Sequence, residues 1–299
     1  MAVLQIMSAL LWAIDFHRAP LPMSNSHHHV EYLDAGDGVV QLVQLTDTHL
    51  CESQGGTLLG MDTDHSLQAV IALVQRERPH IDLVLGTGDL ADGGAGSAYN
   101  RLGDYFDQLT AASYWLPGNH DSLPRMRATD PARLCREIRV AGWSILLLDS
   151  QVTGQVEGGF GTEELQFLES ALSAAADDSL HSLVCMHHPV VPVGCHWLDQ
   201  QRVADADAFF AILDRFSGVK AVLWGHVHQE CDLLRGGVRL LGAPSTCVQF
   251  AANSENFKAD SRPPGYRWFE LHPDGNLVTG VSRDNETAFN VDLDSGGYL

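Results

Sequence analysis

Apolar positions in this chain come in two rhythms that alternate along most of its length. Dense runs at residues 39–45, 81–85, 113–116, 143–148, 182–186 and 221–224 have strand length. Between them lie stretches with a helical period. Leu67, Val70, Ile71 and Val74 stand at i, i+3, i+4 and i+7, which predicts an amphipathic helix stopped by Pro79. Residues 97–109 form a second helix. Residues 163–175 form a third, with Thr162 as its N-cap and Glu163 and Glu164 in the favourable first turn. Ala206, Phe209, Phe210 and Leu213 mark a fourth, and beyond about residue 230 the pattern predicts short strands joined by Gly- and Pro-containing turns.

Five of the runs share a second property: each ends in a polar cluster. In order these are Asp47-Thr48-His49, Gly88-Asp89, Gly118-Asn119-His120-Asp121, His187-His188-Pro189 and Gly225-His226-Val227-His228. Ligands of open α/β sheets gather beyond the carboxyl ends of the strands, so clusters far apart in sequence should converge. Mixed Asp, His and Asn donors without a thiolate suit borderline metals such as Fe, Mn, Zn or Co. Two cations about 3.5–4 Å apart need a bridging carboxylate plus imidazole and oxygen ligands. The glycines before Asp89, Asn119 and His226 fit sharp turns that bring backbone close to such ions. Asp92 extends the Gly-Asp-Leu-x-Asp run, either as a turn or cap residue or as a contact with the site.

Composition narrows the picture further. A chain of 299 residues with 45% hydrophobic and 19% charged positions can build a core without metal or disulfide support, so a metal site here is catalytic rather than structural. The formal net charge of −20 opposes gripping a polynucleotide and favours a small-molecule substrate; a small anion can still be held, because bound cations reverse the local field. Six scattered cysteines without a Cys-x-x-Cys pair fit a reduced cytoplasmic protein. Residues 1–14 are strongly apolar but short of the roughly 20 needed to span a bilayer, and no basic segment precedes them. Residues 1–36 are therefore expected to form an extension outside the fold, with 1–22 as an over-called translation start and His27, His28 and His29 in a solvated tail. Residues 37–299 make one domain, and no membrane partner is expected.

The five clusters, in this order, resemble the calcineurin-like metallophosphoesterases. The likeness extends to Leu116-Pro117-Gly118-Asn119-His120-Asp121, Gly194-Cys195-His196-Trp197-Leu198-Asp199, Pro244-Ser245-Thr246-Cys247-Val248-Gln249-Phe250 and Pro264-Gly265-Tyr266-Arg267, which look like the bacterial class III 3′,5′-cyclic-AMP phosphodiesterases. It covers about residues 39–290. The resemblance implies an α/β fold of four α/β/β/α layers, two packed mixed sheets flanked by helices. It also implies a binuclear centre, with Fe or Mn foremost and Zn or Co as alternatives. Asp47, His49 and His228 would hold one metal, Asn119, His187 and His226 the other, and Asp89 would bridge them.

The activity so implied is hydrolysis of cyclic AMP to 5′-AMP by a bridging hydroxide. His120 would be general acid or charge stabiliser and Asp121 would orient its ring. Asn119 and His120 would face the phosphate, while His196, Trp197 and Thr246 would hold base and ribose, with Trp197 either a stacking platform or a hydrophobic plug. His188, next to a ligand, should point away from the metals. A monomer or homodimer acting on a small molecule is expected, without nucleic acid. The alternatives are a broader diesterase acting on other cyclic nucleotides or glycerophosphodiesters, and a non-catalytic scaffold; the full ligand set argues against the scaffold.

Overall fold

The structure is a computed structural model and describes residues 29–36, 38–110 and 112–297. Two mixed sheets pack face to face. One has five strands in the order Leu277–Arg283, Gly265–Leu271, Val40–Leu45, Leu83–Thr87 and Ser113–Leu116. The other has seven, in the order Val30–Tyr32, Glu137–Val140, Trp143–Leu147, His181–Cys185, Val219–Trp224, Val238–Gly242 and Cys231–Arg235. In both, the strands that carry the polar clusters pair in parallel, so their carboxyl ends lie on one edge.

The sequence pattern explains the layering. Leu83–Thr87 and Trp143–Leu147 are buried along their whole length, as strands covered on both faces must be. Val40, Leu42, Leu83 and Leu85 face Ile145, Leu147, Leu183 and Leu223 between the sheets. On the outer face of the five-stranded sheet, Val43, Leu45 and Val84 meet Leu67, Val70 and Val74 of the Thr63–Glu77 helix and Leu102 and Phe106 of the Gly96–Phe106 helix. On the other side, Leu146, Val184 and Val222 meet Leu168 and Leu172 of Gly161–Asp177 and Phe209 and Leu213 of Ala206–Leu213. These are the four α/β/β/α layers expected from the sequence. Each fully buried Leu, Val or Phe contributes about 1.5–3 kcal/mol, ample to hold the strained strand ends described below.

Two polar side chains cross the sandwich near its ligand-bearing edge. Gln44 Nε2 donates to Thr87 Oγ1 at 2.8 Å and, across the sheets, to Trp224 O at 3.1 Å. Arg267 is buried and donates through Nη2 to Gly242 O at 3.0 Å and Cys231 O at 3.1 Å. All six cysteines are free thiols.

Two sequence expectations change. Val30–Tyr32, placed outside the fold, pairs in parallel with Glu137–Val140 as an edge strand of the larger sheet. Residues 1–28, including the segment expected to be an over-called start and two of the three histidines, lie outside the described residues. The third helix begins at Gly161, and its first amides are satisfied by a distant carboxylate instead of Thr162: Asp205 accepts from Phe160 N and Gly161 N, both at 2.9 Å. No helix among the described residues is long and apolar enough to cross a membrane.

Candidate metal centre

The strand ends turn sharply into the site, and the backbone records it. Asp47, His49, Asp89, His226 and His228 all sit at positive φ, between 45° and 62°. Left-handed backbone costs a residue with a side chain about 1–2 kcal/mol, so five such residues at one place mark a conformation that the fold imposes. The loops lock onto one another through backbone bonds, Asp47 N to Gly88 O at 3.0 Å and His49 N to Asp89 O at 2.9 Å. Two glycines are required by crowding. A Cβ on Gly118 would collide with Asp89 Oδ1 and the Asp89 amide, and one on Gly225 with Thr46 Oγ1 and Asp47 Oδ2.

Sequence-distant donors converge here. Asp47, His49 and His228 offer ligand atoms within 4.8 Å of one another, as do Asp47, Asp89 and His187. His228 Nε2 lies 3.3 Å from Asp47 Oδ1, His187 Nε2 3.1 Å from Asp89 Oδ2, and His49 Nε2 3.9 Å from Asp89 Oδ2. Asp89 thus stands between the two groups. Partners on the far side of three imidazoles set which nitrogen looks inward. His187 Nδ1 donates to Thr87 O at 2.9 Å and His228 Nδ1 to Val248 O at 2.6 Å, leaving Nε2 of each toward the centre. His226 instead donates from Nε2 to Gln201 Oε1 at 3.1 Å, leaving Nδ1. Such outer contacts fix tautomer and aim in metal-binding histidines.

The donors fit a pair of borderline cations. Asn119 Oδ1 is buried without a hydrogen-bond partner among the described residues, a costly arrangement unless something electropositive satisfies it. The charges lean the same way. Burial pushes the Asp47 and Asp89 carboxyls up, yet the histidines around them, His228 and His187 foremost, hold both below the usual carboxylate range. Burial lowers His187 too, but Asp89 and Asp47 reverse that and raise it to about 9. A proton on His187 is the simplest stand-in for a cation between two carboxylates.

The remaining candidates separate. His120 lies at the rim with its side chain 14% exposed, and its backbone amide donates to Asp89 Oδ1 at 2.8 Å. Burial lowers this imidazole, but Asp89 and Asp92 outweigh it and raise its pKa. The carboxylate beside its ring is Asp92, Oδ1 at 3.4 Å from Nδ1. This corrects the orienting role expected of Asp121. Asp121 accepts from Gly118 N at 2.9 Å, Ala91 N at 3.0 Å, Leu90 N at 3.1 Å and Tyr99 Oη at 2.9 Å, so it shapes the loop from inside. Sequence adjacency favoured Asp121; the turn sends consecutive side chains in different directions.

His188 packs its ring against His187 and His226, with a ring nitrogen within 4.8 Å of theirs, and engages Ser150 Oγ through Nδ1 at 2.8 Å and Val156 O through Nε2 at 3.1 Å. Trp197 is half-buried and packs edge-on against Phe250 and Phe257, and Phe250 stacks on the ring of the candidate ligand His228 at 4.0 Å, an arrangement that fits a plug behind the donors. Thr246 is likewise buried behind Asp47: its amide donates to Thr46 O at 3.1 Å, and neighbouring Ser245 Oγ donates to Asp47 O at 2.8 Å. His196 stands apart, its side chain 60% exposed and 3.8 Å from Glu255. Sequence reading missed Gln201, a loop glutamine that nothing local distinguishes.

Comparison with known proteins agrees with this geometry. Residues 40–230 match the family model described as calcineurin-like phosphoesterase. The 3′,5′-cyclic adenosine monophosphate phosphodiesterase CpdA of Pseudomonas aeruginosa is 44% identical over 88% of this chain and 97% of its own length. The protein of the same name from Escherichia coli K12 is 42% identical over the same shares. Among solved structures, a dimetal phosphatase from Danio rerio is 16% identical with a TM-score of 0.57, covering 81% of this chain and 98% of that one, a likeness of fold alone. With a family model spanning more than half its length and relatives above 40% identity, the chain belongs to the calcineurin-like phosphoesterases.

Proposed function

We propose that this protein hydrolyses 3′,5′-cyclic AMP to 5′-AMP in the cytoplasm. The observation that carries the chemistry is the convergence of Asp47, His49, Asp89, His187 and His228 on one strained edge, with the buried, unpartnered Asn119 Oδ1 following Gly118, which packs on Asp89 and His187. The substrate rests on the relatives, which are named cyclic-AMP phosphodiesterases and whose length this chain covers almost completely. Six free thiols suit a reducing compartment.

Asp47, His49 and His228 would hold one cation and Asn119, His187 and His226 the other, with Asp89 shared; Fe or Mn suits this donor set best. When bound, such a pair acidifies a water and neutralises charge on phosphoryl oxygens. The chain's own part is positioning and proton transfer. Asp89 anchors the His120 amide, which fixes the imidazole over the phosphate. Asp92 keeps the proton on Nδ1 and supports the protonated ring. His120 then gives a proton to the departing 3′-oxygen as its bond to phosphorus breaks. His196 is the exposed candidate for base or ribose, while Trp197 and Thr246 act from behind the ligands.

A substrate panel on metal-supplemented protein tests this. It compares 3′,5′-cyclic AMP, 3′,5′-cyclic GMP, 2′,3′-cyclic AMP, a bis-aryl phosphate and an aryl monophosphate. The highest kcat/KM is expected for 3′,5′-cyclic AMP. Preference for the aryl monophosphate overturns the diesterase reading, and preference for 2′,3′-cyclic AMP overturns the substrate.

A further inference from the structure

We propose that Gln151 is a positioning residue of the metal centre, holding the Gly118–Asp121 turn at a fixed distance from the His187–His188 loop. The inference rests on the two-metal reading above.

The turn is closed by Asp121 N donating to Gly118 O at 3.2 Å, which puts Asn119 and His120 at its two central positions. One candidate ligand and the candidate acid therefore move with it. Gln151 Nε2 donates to Gly118 O at 2.6 Å and to Asp121 O at 2.7 Å, gripping both ends of the turn at once. The Asp121 carboxylate braces the same turn from inside, so its orientation is fixed from two sides.

Gln151 is itself held. Asp149 Oδ1 accepts from its amide at 2.9 Å, and Ser150 Oγ, one residue earlier, accepts from His188 N at 3.2 Å and pairs with His188 Nδ1 at 2.8 Å. The chain then wraps the same ring: Val156 O takes His188 Nε2, and Gly158 is so close that a Cβ there would collide with the imidazole. Ser150 and Gln151 follow the Trp143–Leu147 strand of the seven-stranded sheet, yet Gln151 grips a turn of the five-stranded sheet. The pair is a strut between the loops that carry His187 and Asn119, both assigned to the second cation. Each amide–carbonyl bond contributes only about 1 kcal/mol to folding. A displacement near 1 Å at the reacting groups costs about 10²-fold in rate, so positioning is where the larger effect lies.

The test uses the full-length protein, stripped of metal and titrated with Mn²⁺ by calorimetry, as wild type, Gln151→Leu and Gln151→Lys. Leucine keeps the bulk and loses the donor; lysine keeps a donor within reach of both carbonyls. The leucine variant should bind one ion like wild type and the other about 10–100-fold more weakly. At saturating Mn²⁺ its kcat should fall with little change in KM. Hydrogen exchange of residues 118–121 in the metal-free protein should quicken. The lysine variant should recover most of each effect. A leucine variant whose two-site titration superimposes on wild type overturns the strut, as does equal loss in both variants. Fewer than two ions bound by wild type itself overturns the two-metal reading and the strut with it.

Discussion

The two sheets bring different chemistry to the same edge. The five-stranded sheet ends in oxygen donors, Asp47, Asp89 and Asn119, with His49 added one turn on. The seven-stranded sheet ends in imidazoles alone, His187, His226 and His228. Carboxylates concentrated on one sheet would repel one another. Facing them with imidazoles across the seam spreads the charge and would give each cation of the proposed pair donors of both kinds. The site therefore belongs to the contact between the sheets, and a shift of one sheet against the other would move His228 relative to the rest of one donor set, and His187 and His226 relative to the rest of the other.

Asp89 is the sharpest point at which to break this arrangement, since it stands between both groups. Asp89→Ala should abolish turnover and lower metal content, read by elemental analysis alongside activity. His120→Ala should retain both metals and lose about 10²-fold or more in kcat. Asp92→Asn should lose less and lower the upper pH limit of activity, because Asp92 helps keep His120 protonated; an unchanged pH profile returns the orienting role to another group.

The seam itself is tested next. Arg267→Met strands Gly242 O and Cys231 O in the interior and should destabilise by about 3 kcal/mol in denaturant unfolding. A smaller change concerns the scaffold of the seven-stranded side. Burial, opposed by Arg136, raises Glu164 from 4.5 to about 7. The folded state then holds its proton more tightly than the unfolded chain, so stability is greatest below pH 4.5 and falls as pH rises to 7. Glu164→Gln should remove a slope on the order of 2 kcal/mol from that window, measured as wild type minus variant.

Much of this was legible in the sequence, and for a local reason. Each donor directly follows an apolar run, so Asp47, Asp89, His187 and the rest could be read one strand at a time. The helices and buried strands were legible from the spacing of apolar residues, whereas their stacking in four layers was implied by the family resemblance. What escaped depends on contacts through space. Asp92 outranks Asp121 because a tight turn separates neighbours in sequence. Asp205 caps the helix at Gly161 from 44 residues away, a relation without a local signature. Val30–Tyr32 is short and polar enough to pass for tail, and becomes a strand only because Glu137–Val140 offers it an edge.

The left-handed backbone at Asp47, His49, Asp89, His226 and His228 bears on how this protein can change over evolutionary time. Glycine at any of them would relieve backbone strain, so the metal-free fold carries that strain only for the sake of these side chains. Selection for robustness alone would erode the centre, and only selection for turnover maintains it. A lineage released from its reaction should shed these five residues early while keeping the sandwich around them.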